Sequence, residues 1–123
     1  MTSSQLLVLY VENLANSLDF YTRALNARVL ESSPQFAMLE SPNSGRFALW
    51  NRAAVVPPVD VTSGAMELVF MVDSPAMVDS LYSSWKAQGA RVLQEPTALE
   101  FGYSFMVLDP DGHRLRVLAD VQP

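Results

Sequence analysis

The sequence predicts an α+β fold made of two βαβββ modules, whose curved mixed sheets enclose a cleft and carry one helix each on the outside. Two observations predict it: the chain repeats itself once, and each half passes from a strand-like to a helix-like and back to a strand-like pattern. At 123 residues, both halves fit within one domain. The matching segments, in unchanged order, are 6–13 with 67–74, 27–30 with 90–93, and 41–49 with 109–117.

The first module is predicted to span residues 5–52. Its opening strand leads into a helix that Asn13 can cap, because an asparagine side chain accepts from the free N–H groups of a first helical turn. Apolar residues then recur at the spacing of one helix face. They are Leu14, Leu18, Tyr21 and Leu25.

The segment between the modules, residues 53–65, is predicted to be a linker. It contains Pro57-Pro58 and Ser63-Gly64, and such residues interrupt both helices and strands. The second module is then predicted to span residues 66–121, which completes the single domain.

The helix of the second module has clear signals at both ends. Ser74 can cap it, Pro75 suits its first position, and Gly89 suits the turn after its last residue. The apolar stripe that faces the sheet consists of Val78, Leu81, Tyr82 and Trp85. In the preceding strand, alternation places Leu68, Phe70 and Val72 under this helix and Glu67, Val69 and Met71 on the opposite face.

Composition excludes several classes of protein. Half of the residues are hydrophobic, so the chain can fold, and the net charge of -5 disfavours binding to nucleic acid. The absence of cysteine excludes disulfides, thiolate metal sites and cysteine nucleophiles. The apolar run 6–11 is too short to cross a membrane, and no basic residue precedes it. We therefore expect a soluble, cytoplasmic protein without membrane contacts.

Two segments carry a family resemblance. Residues 11–21, Val-Glu-Asn-Leu-Ala-Asn-Ser-Leu-Asp-Phe-Tyr, and residues 108–118, Leu-Asp-Pro-Asp-Gly-His-Arg-Leu-Arg-Val-Leu, resemble the vicinal oxygen chelate superfamily. Its members include glyoxalase I, extradiol dioxygenases, and fosfomycin and bleomycin resistance proteins. The resemblance runs from Leu6 to Leu118 and implies the glyoxalase/bleomycin resistance-like fold.

The resemblance also implies where a metal ion would be held. Metal-using members take ligands from the first and last strands of each module, and these positions correspond to Leu6, Ala48, Glu67 and Arg116. A catalytic cation needs about three protein donors, and only Glu67 could supply one. We therefore expect neither a metal site nor a cofactor.

The face away from the helices is predicted to be apolar with a few charges, which suits a small organic ligand. Trp50 offers a flat stacking surface, and Glu67 and Arg116 can fix the orientation of a ligand. Phe101-Gly102-Tyr103 suits a lid that closes over it. The predicted ligand-binding residues are Tyr10, Trp50, Glu67, Met71, Phe101, Tyr103 and Arg116.

Each of these residues could also have a purely structural role. Trp50 can be ordinary sheet core, as Trp85 is expected to be, and Glu67 and Arg116 can pair with each other across the cleft. The segment 101–103 can be a strand start with a bulge at Gly102. The run from Asp109 to His113 is expected to form a hairpin turn.

The favoured hypothesis is a metal-independent protein that binds a small molecule, nearest in kind to the bleomycin resistance proteins, and sequesters an antibiotic or another hydrophobic metabolite. The alternatives are a glyoxalase-type lyase or a dioxygenase, using a metal held by scattered carboxylates such as Glu40, Glu95 and Glu100, or using Glu67 as general base. Glu67 is the only catalytic candidate. Members that resemble this chain form two-fold dimers, so we expect a homodimer.

Overall fold

The computed structural model describes residues 5–42, 45–61 and 65–120. Residues 43–44 of the repeated segment 41–49, residues 62–64 of the predicted linker and residue 121 of the second module lie outside the described residues. The chain divides into two compact units, residues 1–61 and 62–123. In each unit the described residues form a four-stranded mixed sheet and a helix, so the predicted α+β fold with two βαβββ modules is confirmed.

The elements of the first unit are β1 (Leu7–Val11), α1 (Leu14–Arg23), β2 (Arg28–Ser32), β3 (Phe36–Glu40) and β4 (Arg46–Asn51). The sheet order is β1-β4-β3-β2. β1 is parallel to β4, and the remaining neighbours are antiparallel. A 3-10 turn, Arg52–Ala54, follows the last strand.

The elements of the second unit are β5 (Glu67–Met71), α2 (Pro75–Ala87), β6 (Arg91–Leu99), β7 (Gly102–Leu108) and β8 (Arg114–Asp120). The sheet repeats the topology of the first with the order β5-β8-β7-β6. β5 is parallel to β8, and the other pairs are antiparallel. Neither α1 nor α2 is long and apolar enough to cross a membrane.

Helix α1 begins as predicted but buries a slightly different face. The Asn16 N–H donates to Asn13 Oδ1 over 3.0 Å, which confirms the cap. Phe20 is buried, whereas Leu18 is only half-buried, because the face that meets the sheet consists of Leu14, Ser17, Phe20 and Tyr21. Leu25 lies beyond the helix, which ends at Arg23 before Asn26 adopts a positive φ of 60°.

Helix α2 has the predicted signals at both ends. Ser74 Oγ accepts from the Met77 N–H over 3.3 Å, Pro75 occupies the first turn, and Gly89 follows the helix with a φ of 89°. Trp85 is 4% exposed and meets Phe70 edge to face, with ring centres 5.8 Å apart. This contact confirms that Trp85 is core and that Phe70 lies on the helix side of β5.

Candidate functional site

Three aromatic side chains lie side by side on the first sheet. Tyr10 pairs with Trp50 in the register of β1 with β4, and Phe36 pairs with Trp50 in the register of β3 with β4. The rings of Tyr10 and Trp50 are 6.3 Å apart at 81°, and those of Phe36 and Trp50 are 6.1 Å apart at 82°. We call Tyr10, Trp50 and Phe36 the aromatic row.

The aromatic row lies on the face of the sheet opposite α1. Phe47 packs against Tyr21 of the helix, with ring centres 5.1 Å apart, and strand alternation turns Trp50 to the other side. Tyr10 is 37% exposed, and Trp50 and Phe36 are half-buried, so all three rings reach the surface of the unit. The sequence analysis did not identify Phe36. The signal that could have identified it is the antiparallel pairing of β3 with β4, which places Phe36 opposite Trp50.

Glu67 and Arg116 form a two-pronged ion pair in the second unit. Arg116 Nε donates to Glu67 Oε1 over 2.8 Å, and Arg116 Nη2 donates to Glu67 Oε2 over 3.3 Å. The structural explanation that the two residues pair is therefore confirmed. The pair joins neighbouring strands of one sheet, because β5 and β8 are parallel partners, which corrects the expectation that it spans a cleft.

Two polar residues that the sequence did not indicate complete this cluster. Arg116 Nη1 donates to Ser104 Oγ over 2.8 Å and to Gln94 Oε1 over 3.4 Å. The ring of Phe101 lies 5.8 Å from the guanidinium carbon. We call Glu67, Gln94, Ser104 and Arg116 the guanidinium cluster.

The remaining predicted ligand-binding residues lie at separate places in the second unit. Met71 shares the helix-free face with Glu67, and Phe101 lies in the turn between β6 and β7. Tyr103 points to the opposite face, where its hydroxyl donates to Asp79 of α2 over 2.7 Å, and this hydrogen bond raises the pKa of Tyr103. The structure therefore brings Phe101, but not Tyr103, to Arg116.

The segment 101–103 forms part of a tight hairpin. Leu99 pairs with Gly102 in the register of β6 with β7, so a two-residue turn joins the strands. Gly102 begins β7 without a bulge, and the irregularities of this hairpin lie on either side of Gln94. The structural explanation as a strand start is therefore correct, whereas the bulge expected at Gly102 is wrong.

The residues at the family's metal positions do not fit a divalent cation. The side chains of Leu6 and Ala48 carry no donor atoms. Arg116 carries a positive charge that would repel a cation, and it already occupies both carboxylate oxygens of Glu67. These four positions therefore do not supply the ligands that a metal-dependent lyase or dioxygenase mechanism would need.

In the part of the chain that the structure describes, one other cluster contains the residue types that bind cations. Donor atoms of Asp109, Asp111 and His113 lie within 4.8 Å of one another. Asp109 Oδ1 accepts from the backbone N–H groups of Asp111 and His113 over 2.9 and 2.8 Å, and its Oδ2 accepts from His113 Nδ1 over 2.6 Å. The Asp109 carboxylate thus closes the turn from β7 to β8, as the sequence predicted for this run.

His113 makes the stability of this turn dependent on pH. The hydrogen bond to Asp109 and the charges of Asp109 and Asp111 raise the pKa of His113, against an opposing effect of burial. A pKa raised above the unfolded value near 6.5 gives stability that is complete below that value and is lost as the pH rises through the folded pKa.

We therefore expect His113→Gln to lower the free energy of unfolding by about 1.5 to 3 kcal/mol at pH 5.5, the usual contribution of a charged hydrogen bond. The difference from the native chain should shrink as the pH rises above about 6.5 and through the raised pKa of folded His113. Urea denaturation across this range measures it, and no other histidine interferes because the chain has one. A difference that stays constant or grows with pH would contradict the assignment.

Comparison with known proteins identifies the fold and the family. Residues 4–117 match the Glyoxalase/Bleomycin resistance protein/Dioxygenase superfamily. Over 113 residues the chain is 30% identical to the phenazine antibiotic resistance protein EhpR of Enterobacter agglomerans, covering 89% of this chain and 86% of that protein.

Two solved structures show the same architecture. The solution structure of protein ATC0852 from Agrobacterium tumefaciens is 43% identical, with a TM-score of 0.84, over 99% of this chain and 100% of that one. A glyoxalase-related enzyme from Fulvimarina pelagi is 21% identical, with a TM-score of 0.83, over 98% and 89% of the two chains. The chain therefore belongs to the glyoxalase/bleomycin resistance protein/dioxygenase superfamily.

Proposed function

We propose that this protein binds a flat aromatic small molecule without a metal ion and releases it unchanged, as a sequestering protein does. The observation that carries the proposal is the aromatic row, which presents three rings on the helix-free face of the first sheet. Binding sites for small organic molecules are lined mainly by apolar and aromatic side chains with few polar groups.

The geometry of the row suits stacking. Tyr10 and Phe36 are the strand neighbours of Trp50, and their rings stand nearly perpendicular to the indole, at 81° and 82°, so the indole is held between two neighbouring side chains. A ring held before the ligand arrives loses little conformational freedom on binding, which favours affinity. Trp50 is thus the residue on which a flat ligand is best placed to stack.

The relatives support a fused heteroaromatic ligand. One relative is named for resistance to phenazine antibiotics. Phenazines are flat three-ring molecules with an apolar surface and two ring nitrogens, and such a shape can stack on the half-buried indole of Trp50. We infer that the ligand of this chain is of the same chemical class.

The enzymatic alternatives have weaker support. Three of the four positions that would hold a metal, Leu6, Ala48 and Arg116, lack a donor side chain, and both oxygens of Glu67 accept hydrogen bonds from Arg116. A general base must be free to reach the proton it removes, so this ion pair disfavours proton transfer by Glu67.

Trp50→Ala is expected to weaken the binding of phenazine at least about tenfold, because the change removes the stacking surface and a tenfold change corresponds to about 1.4 kcal/mol. Isothermal titration calorimetry measures the affinity. Phenazine should also quench the tryptophan fluorescence of the native chain. The quenching should be lost in Trp50→Phe and retained in Trp85→Phe, because Trp85 lies on the sheet-facing side of α2 and is 4% exposed.

Two further measurements separate sequestration from catalysis. Phenazine recovered after incubation should have its original mass, and a chelator should leave the affinity unchanged. A modified product, or activity lost on chelation, would favour an enzyme, and full affinity in Trp50→Ala would show that the aromatic row is not the site.

A further inference from the structure

A second row of side chains crosses the helix-free face of the first sheet. Arg46 of β4 pairs with Glu40 of β3, and Glu40 pairs with Arg28 of β2. Arg46 and Trp50 are four positions apart in β4, so strand alternation turns both to the face opposite α1. We call Arg28, Glu40 and Arg46 the charged row.

One carboxylate serves both arginines of the charged row. Glu40 Oε1 accepts a hydrogen bond from Arg28 Nη2. Glu40 Oε2 lies 3.7 Å from Arg46 Nε, which is too far for a hydrogen bond. The side chain of Arg46 is 60% exposed. The guanidinium group of Arg46 is therefore the member of this row that is best placed to bind an acid from solvent.

The strands around Arg46 bring no other carboxylate next to it. On one side, β1 contains no charged residue. On the other side, Glu31 lies opposite Met38 on β2 at the edge of the sheet, so β3 separates Glu31 from Arg46. Along these strands, Glu40 alone partly compensates the positive charge of Arg46.

Uncharged side chains separate the charged row from the aromatic row. Val8, Ala48 and Met38 lie in register across β1, β4 and β3 on the same face. The four residues from Trp50 to Arg46 cover about 13 Å of strand. The arginine side chain is long and can cover part of that distance. A ligand stacked on Trp50 would therefore reach Arg46 with a group at the end of its long axis.

The other end of the aromatic row is electrically balanced. Arg52, which follows β4, lies 3.7 Å from Glu12 and donates to the carbonyl oxygen of Val61 over 2.7 Å. Its side chain is 28% exposed, against 60% for that of Arg46. One arginine and one carboxylate leave no net charge at this end. Charge complementarity therefore favours the charged row as the place where an acid would bind.

We propose that the ligand of this protein is an aromatic acid, with its ring stacked on Trp50 and its acidic group bound by Arg46. This rests on the proposed function, because the same ligand occupies the aromatic row. It narrows the ligand to flat aromatic molecules that carry a carboxylate at the end of their long axis. A guanidinium group can bind a carboxylate through two parallel N–H donors, which fixes direction as well as charge.

The test compares phenazine-2-carboxylate with phenazine-2-carboxamide, which has nearly the same shape but no charge. The native chain should bind the carboxylate about three- to fivefold more tightly at low ionic strength, as expected of an ion pair at a partly exposed site. Added salt should reduce this ratio of affinities. In Arg46→Gln the ratio should fall to about one, whereas Arg46→Lys keeps the charge and should retain part of it. Isothermal titration calorimetry measures both affinities.

Two further variants show whether the effect belongs to Arg46. Arg23→Gln is the matched control, because Arg23 is an exposed arginine that also pairs with a carboxylate, Asp19, but lies on α1. It should leave the ratio at its native value. Glu40→Gln should raise the ratio, because it removes the carboxylate that competes with the ligand for Arg46.

The outcomes distinguish this proposal from the proposed function. Equal affinities for the two ligands in the native chain, or a ratio that Arg46→Gln leaves unchanged, would overturn the role of Arg46 alone. A ratio that depends on Arg46, together with full affinity in Trp50→Ala, would overturn the stacking surface and leave the acid site. If neither ligand binds, both proposals are wrong.

Discussion

Gly102→Ala is expected to lower the free energy of unfolding by about 3 to 5 kcal/mol, which is in the range of the most damaging single substitutions. A Cβ atom at this position would lie 2.4 Å from the carbonyl oxygen of Ala119 and 2.9 Å from Cα of Asp120. Both atoms belong to the backbone of β8, so neither can rotate away. The φ of 153° adds strain for any residue with a side chain. Thermal denaturation should show a melting temperature lower by more than about 10 °C.

Gly112→Ala is the matched control for this substitution. Gly112 also has a positive φ, 85°, but a Cβ atom there would meet nothing within 4 Å. Its cost should be limited to backbone strain, about 1 to 2 kcal/mol. Equal losses in the two variants would show that conformation alone, rather than the close approach of β8, restricts Gly102.

The fold could be predicted from the sequence because its signals are local. The caps at Asn13 and Ser74 and the stop at Gly89 each act over a few residues. The internal repeat then predicted the same order of strands and helix in both units. Periodicity alone did not settle which residues of α1 face the sheet, because Leu18 and Phe20 are both apolar and only packing determines that Phe20 is the buried one.

The candidate site was harder to predict because it depends on strand register. Tyr10 and Trp50 follow from simple alternation, but Phe36 joins them only through the pairing of β3 with β4. Gln94 lies between two irregularities of β6, where alternation no longer assigns a face. Tyr103 reaches the helix side because the turn before Gly102 has only two residues, which sets the register of the whole hairpin.

Comparison of the two units explains why the surfaces differ although the frameworks agree. The helix-facing pair Phe47 and Leu49 corresponds in the repeat to Leu115 and Val117, and all four are buried apolar residues. On the opposite face, the repeat matches Ala48 to Arg116. The buried positions have remained apolar because packing restricts them, whereas the helix-free faces have acquired an aromatic row in one unit and a guanidinium cluster in the other.

Asp109→Ala is the second substitution expected to have a large effect, with a loss of about 3 to 5 kcal/mol. The carboxylate is fully buried and accepts from two backbone N–H groups, those of Asp111 and His113, as well as from the His113 ring. Alanine would leave these donors without their acceptor in the interior of the turn, and unpaired buried polar groups cost far more than a hydrogen bond contributes. Urea denaturation of the variant measures the loss.

The comparison of Asp109→Ala with Asp109→Asn and with a double variant identifies the cause. Asparagine keeps one oxygen for the two backbone N–H groups and removes the charge, so its loss should be intermediate. Asp73→Ala, at an exposed position after β5, should change the free energy of unfolding by less than about 0.5 kcal/mol. Asp109 and His113 share one hydrogen bond. His113→Gln should therefore lower the free energy of unfolding less in the Asp109→Ala chain than in the native chain. Strictly additive losses in the double variant would show that the two side chains stabilise the turn independently.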